Sequence, residues 1–340
     1  MGSFMTQRSL FEDAEGVDLA PMDDAVRSLG AALPDRIHLG TSSWSFPGWT
    51  GLVYAPCNGK PATEQVLARH GLAAYARHPL FRTVSLDRTF YAPLSADEFA
   101  RYAAQVPDGF RFVVKAPAAV TDPVVRKPGS GEAARDNPMF LDAAATTAAF
   151  VRPAVAGLAA KAGLEAKTGL EAKAGPLVFQ FPPLGRRLLA DVPRLAARIA
   201  AFVAVLPRGP LYAVEVRDPE LVTAEFSAVL ADAGAVPCLA VHARMPPVER
   251  QAAAFALDRG DRPLVARWNL HAGRDYEGAK ADYFPFNRIV EEDASSRTSL
   301  ASLARKAAAA GRDAFITINN KAEGCAPRSV ALLAAAIADR

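Results

Sequence analysis

The chain has 340 residues, 51% of them hydrophobic and 22% charged, with 39 Lys+Arg against 36 Asp+Glu. That composition belongs to a globular protein and excludes collagen-like, disordered and disulfide-scaffold classes. A formal net charge of +3 is too small to draw nucleic acid to the surface as a whole, so such a contact requires a local basic patch.

Residues 1–34 are acidic, poor in aromatics and without clear periodicity, and are expected to form a disordered extension outside the fold. Glu12, Asp13, Glu15, Asp18, Asp23 and Asp24 stand where a secretory leader carries basic and then apolar residues, so no such leader is expected. From residue 37 onward, short apolar runs alternate with longer Ala/Leu-rich stretches of helical period. Strands are predicted over 37–42, 81–86, 110–115, 176–181, 211–216, 236–241, 263–268 and 314–318. Helices are predicted over 63–78, 95–105, 137–161, 191–206, 220–233, 248–258, 299–310 and 327–338. Eight strand-then-helix units in about 300 residues predict an α/β fold, a single TIM-like (β/α)8 barrel over 35–340 rather than an open doubly wound sheet. The pentapeptide GLEAK at 163–167 recurs at 169–173, a slipped duplication that lengthens a helix or its exit before the fourth strand. The connections 116–136 and 269–297 are long, and long connections inside a compact domain tend to be lids or binding loops. Both are expected on the same barrel face.

No run of about 18 apolar residues is present to span a membrane. Cys57, Cys238 and Cys325 are odd in number and widely spaced, which fits neither a disulfide framework nor a metal knuckle. A reducing cytoplasm is the expected compartment.

Barrel strands alternate inward and outward side chains, and catalytic groups gather at the C-terminal strand ends. In the fifth strand, Tyr212, Val214 and Val216 form one apolar face, while Ala213, Glu215 and Arg217 form the other. The third strand points Phe112 and Val114 toward the helices and Lys115 the opposite way. Gln180 ends the fourth strand, Arg267 the seventh, Asn319 and Asn320 the eighth, and Thr41-Ser42-Ser43-Trp44 the first. Taken singly, each has a structural reading: Glu215 with Arg217 as an ion pair filling the barrel, Lys115 as a snorkelling side chain, the asparagines as turn residues. Together, Lys115, Arg217 and Arg267 around one carboxylate resemble a site for phosphate, carboxylate or sulfate. His242 and His271 follow strands on the same face, where one of them is a candidate general base or both are loop histidines. Trp44, Phe46, Trp49, Tyr54, Phe90, Tyr91 and Trp268 either wall a ligand or pack loops onto the rim. Few acidic residues stand at strand ends, so no metal centre is expected. No phosphate-cradling or dinucleotide-binding glycine motif occurs, and no cofactor is expected.

The motifs Gly40-Thr-Ser-Ser-Trp44, Tyr54-Ala-Pro56, Phe81-Arg-Thr-Val84, Thr89-Phe-Tyr91, Gln180-Phe-Pro-Pro183, Ala213-Val-Glu-Val-Arg217, Arg267-Trp-Asn269 and Asn319-Asn-Lys-Ala-Glu-Gly324 resemble the YecE-like family. That family is also catalogued as domain of unknown function seventy-two. The resemblance spans residues 36 to 338 in order and implies a TIM-like barrel, with no established reaction. Several positions depart from the family pattern. At the second strand its Val-Glu and following Asn become Val84-Ser85 and Asp87; after the third its Thr-His becomes Thr121-Asp122; after the fifth its Arg-His and later Trp become Arg217-Asp218 and Leu221. Asp87 and Asp122 are candidate substitutes for the displaced groups.

The leading expectation is an enzyme or binder, independent of metal, acting on an anionic small molecule of phosphorylated or sugar-like character. Lys115, Arg217 and Arg267 would hold the anion, and Glu215 would be the catalytic acid or base. Gln180, Asn319 and Asn320 would orient the substrate, with Trp44 and Tyr91 against it. Two alternatives stand beside it: a nucleic-acid-binding or phosphodiester-cleaving barrel using the same cations, and a non-catalytic ligand-binding barrel.

Overall fold

Runs of β-branched and aromatic residues with period two need a partner on both faces, and a closed parallel barrel supplies both. In the computed structural model, which describes residues 16–126, 133–159, 173–257 and 261–339, all eight predicted runs are barrel strands. They are β1 (Ile37–Thr41), β2 (Thr83–Leu86), β3 (Arg111–Lys115) and β4 (Ala174–Gln180), followed by β5 (Tyr212–Glu215), β6 (Ala235–Val241), β7 (Leu264–Trp268) and β8 (Ala314–Ile318). Each pairs in parallel with its chain neighbour, and β1 closes the barrel on β8 in the register Ile37 opposite Ala314 through Thr41 opposite Ile318. The fold is a TIM-like (β/α)8 barrel.

Strand ends differ from the sequence reading by a residue or two, most visibly in β4. It begins at Ala174 because Gly175 and Pro176 form a bulge: Phe112 pairs with Ala174, but Val114 pairs with Leu177. Outward residues such as Phe112, Val114, Leu177, Phe179, Val214 and Ile316 merge with the helix faces into one large core. Inward residues form a second, smaller cluster of Val113, Val178, Ala213, Val236, Cys238, Val265 and Phe315. This plug floors the barrel beneath the polar strand ends.

Helix starts follow local chemistry. Ser95 and Glu98 form a reciprocal capping box for the helix Ala96–Ala103. Asp142, Asp191, Thr223 and Asp293 accept from the first-turn N–H groups of theirs. The helix predicted over 137–161 begins later, at Ala143, and passes through a π-turn at Thr147–Val151 before Arg152–Ala159. Asn137 instead ties the preceding connection, donating through Nδ2 to Ala119 O and Asp122 O. That connection carries a short helix, Ala118–Thr121, and an antiparallel pair, Val124–Arg126 with Ala133–Asp136. The second long connection carries the helix Tyr276–Tyr283. The repeated pentapeptide lies outside the described residues except for Lys173.

The expectation of an extension through residue 34 is corrected from Gly16 onward. Val17, Ala20 and Leu33 are buried, Asp24–Ala32 is a helix, and Ala20 N–H donates to Val53 O. Arg82 holds this segment by donating to the carbonyls of Gly30, Leu33 and Pro34. Its apolar residues are too few for periodicity to reveal, and only the barrel surface gives them a partner. Among the described residues no helix is long and apolar enough to cross a membrane, and all three cysteines are free thiols.

Closure brings β1 and β2 so near that a Cβ on Gly40 would lie 1.8 Å from Thr83 O. The substitution Gly40→Ala must force these strands apart, and overpacking of this kind costs about 1–3 kcal/mol. A urea-unfolding midpoint unchanged from the parent would contradict that.

Candidate functional site

Period-two alternation carried one or two residues past each strand brings polar groups from β2, β3, β4, β5, β7 and β8 to the barrel mouth. They surround a cavity of about 270 Å³. Of the candidate site residues, Lys115, Gln180, Arg217, Arg267, Asn319 and Tyr91 line it. So do Asp87, Phe90 and His242, which the sequence reading weighed as a substitute carboxylate, a ligand wall and a general base, and Asn269, Leu270 and Tyr276, to which it gave no role. Asn269 was legible by the same alternation, two residues beyond Arg267. Tyr276 was not, because it arrives on a helix inside a long connection.

An ion-pair chain organises the mouth. Glu215 is wholly buried; its Oε2 accepts from Arg267 Nη1 at 2.8 Å, and its Oε1 meets Arg217 Nη2 at 2.5 Å and Asn269 Nδ2 at 3.1 Å. Arg267 Nη2 reaches across to both Asp87 oxygens at 2.8 and 2.9 Å, and Asp87 Oδ1 also accepts from Ser85 Oγ at 2.6 Å. Burial alone would raise the Glu215 carboxyl, but Arg217, Arg267 and Lys115 overcome it and hold the group below the usual carboxylate range. Burial likewise works against the Arg267 charge, and Asp87 with Glu215 more than restores it. Arg217 is less compensated: burial lowers it despite Glu215, and its Nη1 has no hydrogen-bond partner among the described residues.

Lys115 stands apart from this chain. Its ammonium lies 3.6 Å from the centre of the Phe90 ring, with no hydrogen bond or ion pair among the described residues. Burial lowers it to about 8, only partly opposed by Asp87. Three cations against two carboxylates leave one positive charge in excess at the mouth. His242 is pushed down to about 4 by burial and by Arg217, so its ring is neutral near pH 7. Its Nδ1 accepts from Arg244 N–H at 3.1 Å, which places the ring proton on Nε2.

Three expected site residues are not on the cavity wall. Glu215, expected as acid or base, lies beneath the lining with both oxygens engaged, so its carboxylate positions the two arginines; Asp87 is the carboxylate that faces the cavity. Trp44 is buried at the rim, donating to Leu67 O and packing edge-on against Tyr102. Asn320 turns away from the cavity, and its Oδ1 accepts from Trp49 Nε1 and from Ala326 N–H at the start of the last helix. Asn319 lines the mouth but is already bonded, donating to Ser42 Oγ and accepting from Lys321. Asp122 and His271 are also off the wall; Asp122 accepts from Val124 N–H, and His271 faces Glu291. No group of three or more His, Cys, Asp or Glu among the described residues is placed to hold a metal ion.

A larger groove of about 970 Å³ runs along the outer barrel wall between the helices Ala224–Ala233, Val248–Ala254 and Ala294–Ala309. Its arginines are spent on backbone carbonyls, Arg262 on Ala231 and Ala235, Arg312 on Leu257. Convergent polar groups, which orient a ligand, are found at the mouth instead.

Removing the Glu215 charge should strand two buried guanidiniums. Glu215→Gln is expected to lose about 3–5 kcal/mol of stability, the usual cost of breaking a buried pair. Chemical denaturation checks this, and a loss below about 1 kcal/mol would mean the arginines do not depend on Glu215.

A family described as "Protein of unknown function DUF72" matches residues 38–340. Among solved structures, a DUF72 family protein from Enterococcus faecalis is 16% identical with a TM-score of 0.55, covering 88% of this chain and 95% of that one. A DUF72 family protein from Thermotoga maritima is 17% identical with a TM-score of 0.52, covering 89% of this chain and 99% of that one. At such identities the two structures speak for the barrel alone. No curated protein matches the chain. The family match extends from the second residue of β1 to the C-terminus and takes in every strand end that builds the mouth: the chain belongs to the DUF72 family of proteins of unknown function.

Proposed function

We propose that the barrel mouth binds a small anionic molecule, a phosphate ester or a carboxylate, and that the protein acts on it there. The observation that carries this reading is Lys115, a half-buried side chain whose ammonium lies on the cavity wall with no hydrogen bond or ion pair among the described residues. A buried charge without a partner is costly, and a bound anion supplies the partner. Arg217 supports the reading: it lines the same wall, and its buried Nη1 has no hydrogen-bond partner among the described residues. Arg267 is held by Glu215 and Asp87, so it shapes the field while the other two cations grip. The neutral His242 offers an Nε2–H donor, and Gln180 offers an amide.

Size supports a small ligand. A cavity of about 270 Å³ lies near the lower end of small-molecule sites, which suits a few-carbon anion. Tyr91 and Tyr276 are largely exposed at its edge and would flank whatever protrudes. Asp87, the carboxylate in reach, is the group for proton transfer to or from a bound molecule.

Calorimetry with inorganic phosphate, short phosphate esters and dicarboxylates tests the reading. Lys115→Ala and Arg217→Ala are each expected to weaken binding at least tenfold, in line with about 1.5–3 kcal/mol for a hydrogen bond to a charged group. Affinity should hold below pH 8 and fall as pH rises through about 8, where free Lys115 loses its proton. Lys115→Ala should remove that inflection. No binding by any of these anions, or affinity indifferent to both substitutions, would reject the site. Tight oligonucleotide binding that collapses with added salt would favour the nucleic-acid alternative.

A further inference from the structure

We infer that Lys115 is a covalent-catalysis residue, its Nζ forming an imine with the carbonyl carbon of a short anionic aldehyde or ketone. The inference rests on the anion reading of this cavity and deepens it by naming the reactive group of the ligand.

Two of the described lysines, at opposite ends of the barrel, have opposite surroundings. Lys173, at the entrance to β4 on the far side of the barrel, has its ammonium 2.8 Å from Asp108 and is spent on that ion pair. Lys115, at the C-terminal end of β3, has no carboxylate at ion-pair distance among the described residues. The apolar plug of Val113 and Val178 lies below it, an aromatic face lies against it, and the two guanidiniums of the mouth oppose its charge. Burial and the two guanidiniums, working against the cation–π contact, lower the amine to about 8, so free amine is accessible near neutral pH. An anion-gripping lysine alone would be better served by full charge and a more polar setting. A nucleophilic lysine needs the setting observed.

The cavity supplies the other parts. Arg217 on the cavity wall is the cation for the anionic group of the ligand, and His242 Nε2–H is a neutral donor suited to a carbonyl oxygen. The free amine attacks the carbonyl carbon; a C–N bond forms and the C=O π pair moves to oxygen, which takes up the proton that the ammonium gave up on becoming free amine. Asp87 accepts a proton from the attacking nitrogen and returns it to the hydroxyl. The C–O bond then breaks, water leaves, and the nitrogen lone pair completes the C=N bond. Overall, an ammonium and a carbonyl give an iminium and water, with no oxidant or reductant. The iminium keeps the positive charge against the Phe90 face, so the electrostatics of the mouth are unchanged. Its C=N bond acidifies the neighbouring carbon, which is the use an enzyme has for such a linkage.

Trapping with cyanoborohydride tests the inference on the full chain. The protein is incubated with glyoxylate, pyruvate or glyceraldehyde 3-phosphate, reduced, and mapped by peptide mass spectrometry. Lys115 is expected to be alkylated at least tenfold faster than exposed Lys280, faster at pH 8 than at pH 6, with inorganic phosphate slowing it. Lys115→Arg should yield no adduct at 115, whereas Lys280→Arg should leave both phosphate binding and the rate of trapping at Lys115 unchanged. Alkylation of Lys115 no faster than of Lys280 in wild-type protein that binds phosphate would overturn the imine and leave the anion site standing. Failure of phosphate binding as well would overturn both.

Discussion

Everything at the mouth depends on one buried carboxylate. Glu215 sits between Arg217 and Arg267, and Arg267 hands the connection across the barrel to Asp87. Side chains from β5 and β7 and from the turn after β2 are thereby locked in one network spanning the barrel. A buried carboxylate without these arginines would protonate, and buried arginines without it would be expelled or unfold the mouth. The network is therefore a mutual requirement, and it explains why Glu215 is better understood as the anchor of the site than as a group that meets the ligand.

The same network makes Lys115 distinctive. Asp87 is held by Arg267 through both oxygens and Glu215 is shared by two arginines, so neither forms an ion pair with the lysine. Below it the inward side chains are apolar, which raises the energetic stakes of each charge above them. A barrel with polar residues through its whole depth would let water relax that field. Here the polarity is confined to the strand ends, where a ligand can enter.

One departure from the pattern implied by the family resemblance acquires a physical reading. At the second strand a Glu is replaced by Ser85, and a carboxylate stands two residues on at Asp87. A shift of two preserves the inward face of a strand, and Ser85 Oγ donates to Asp87 while Asp87 reaches Arg267. The carboxylate thus stays in the mouth from the first turn after β2. Asp122, the other candidate substitute, caps a backbone N–H in the following connection and remains off the cavity wall.

The sequence by itself determined the eight alternating units, the closed barrel they imply, and which strand ends present polar groups to the mouth. These properties follow from local periodicity: a side chain's inward or outward direction is set by counting along its own strand. Lys115, Gln180, Arg217 and Arg267 could be placed for that reason. The tertiary structure alone decided which of the inward groups are consumed by one another. Trp44 and Asn320 belong to motifs at strand ends yet serve rim packing and a helix start, and residues 24–32 fold only because the barrel offers them a surface. That Glu215 is covered while Asp87 and Lys115 face the cavity depends on contacts between segments up to 180 residues apart. No local pattern carries such pairings, because burial and charge compensation are properties of the space between strands rather than of any one of them.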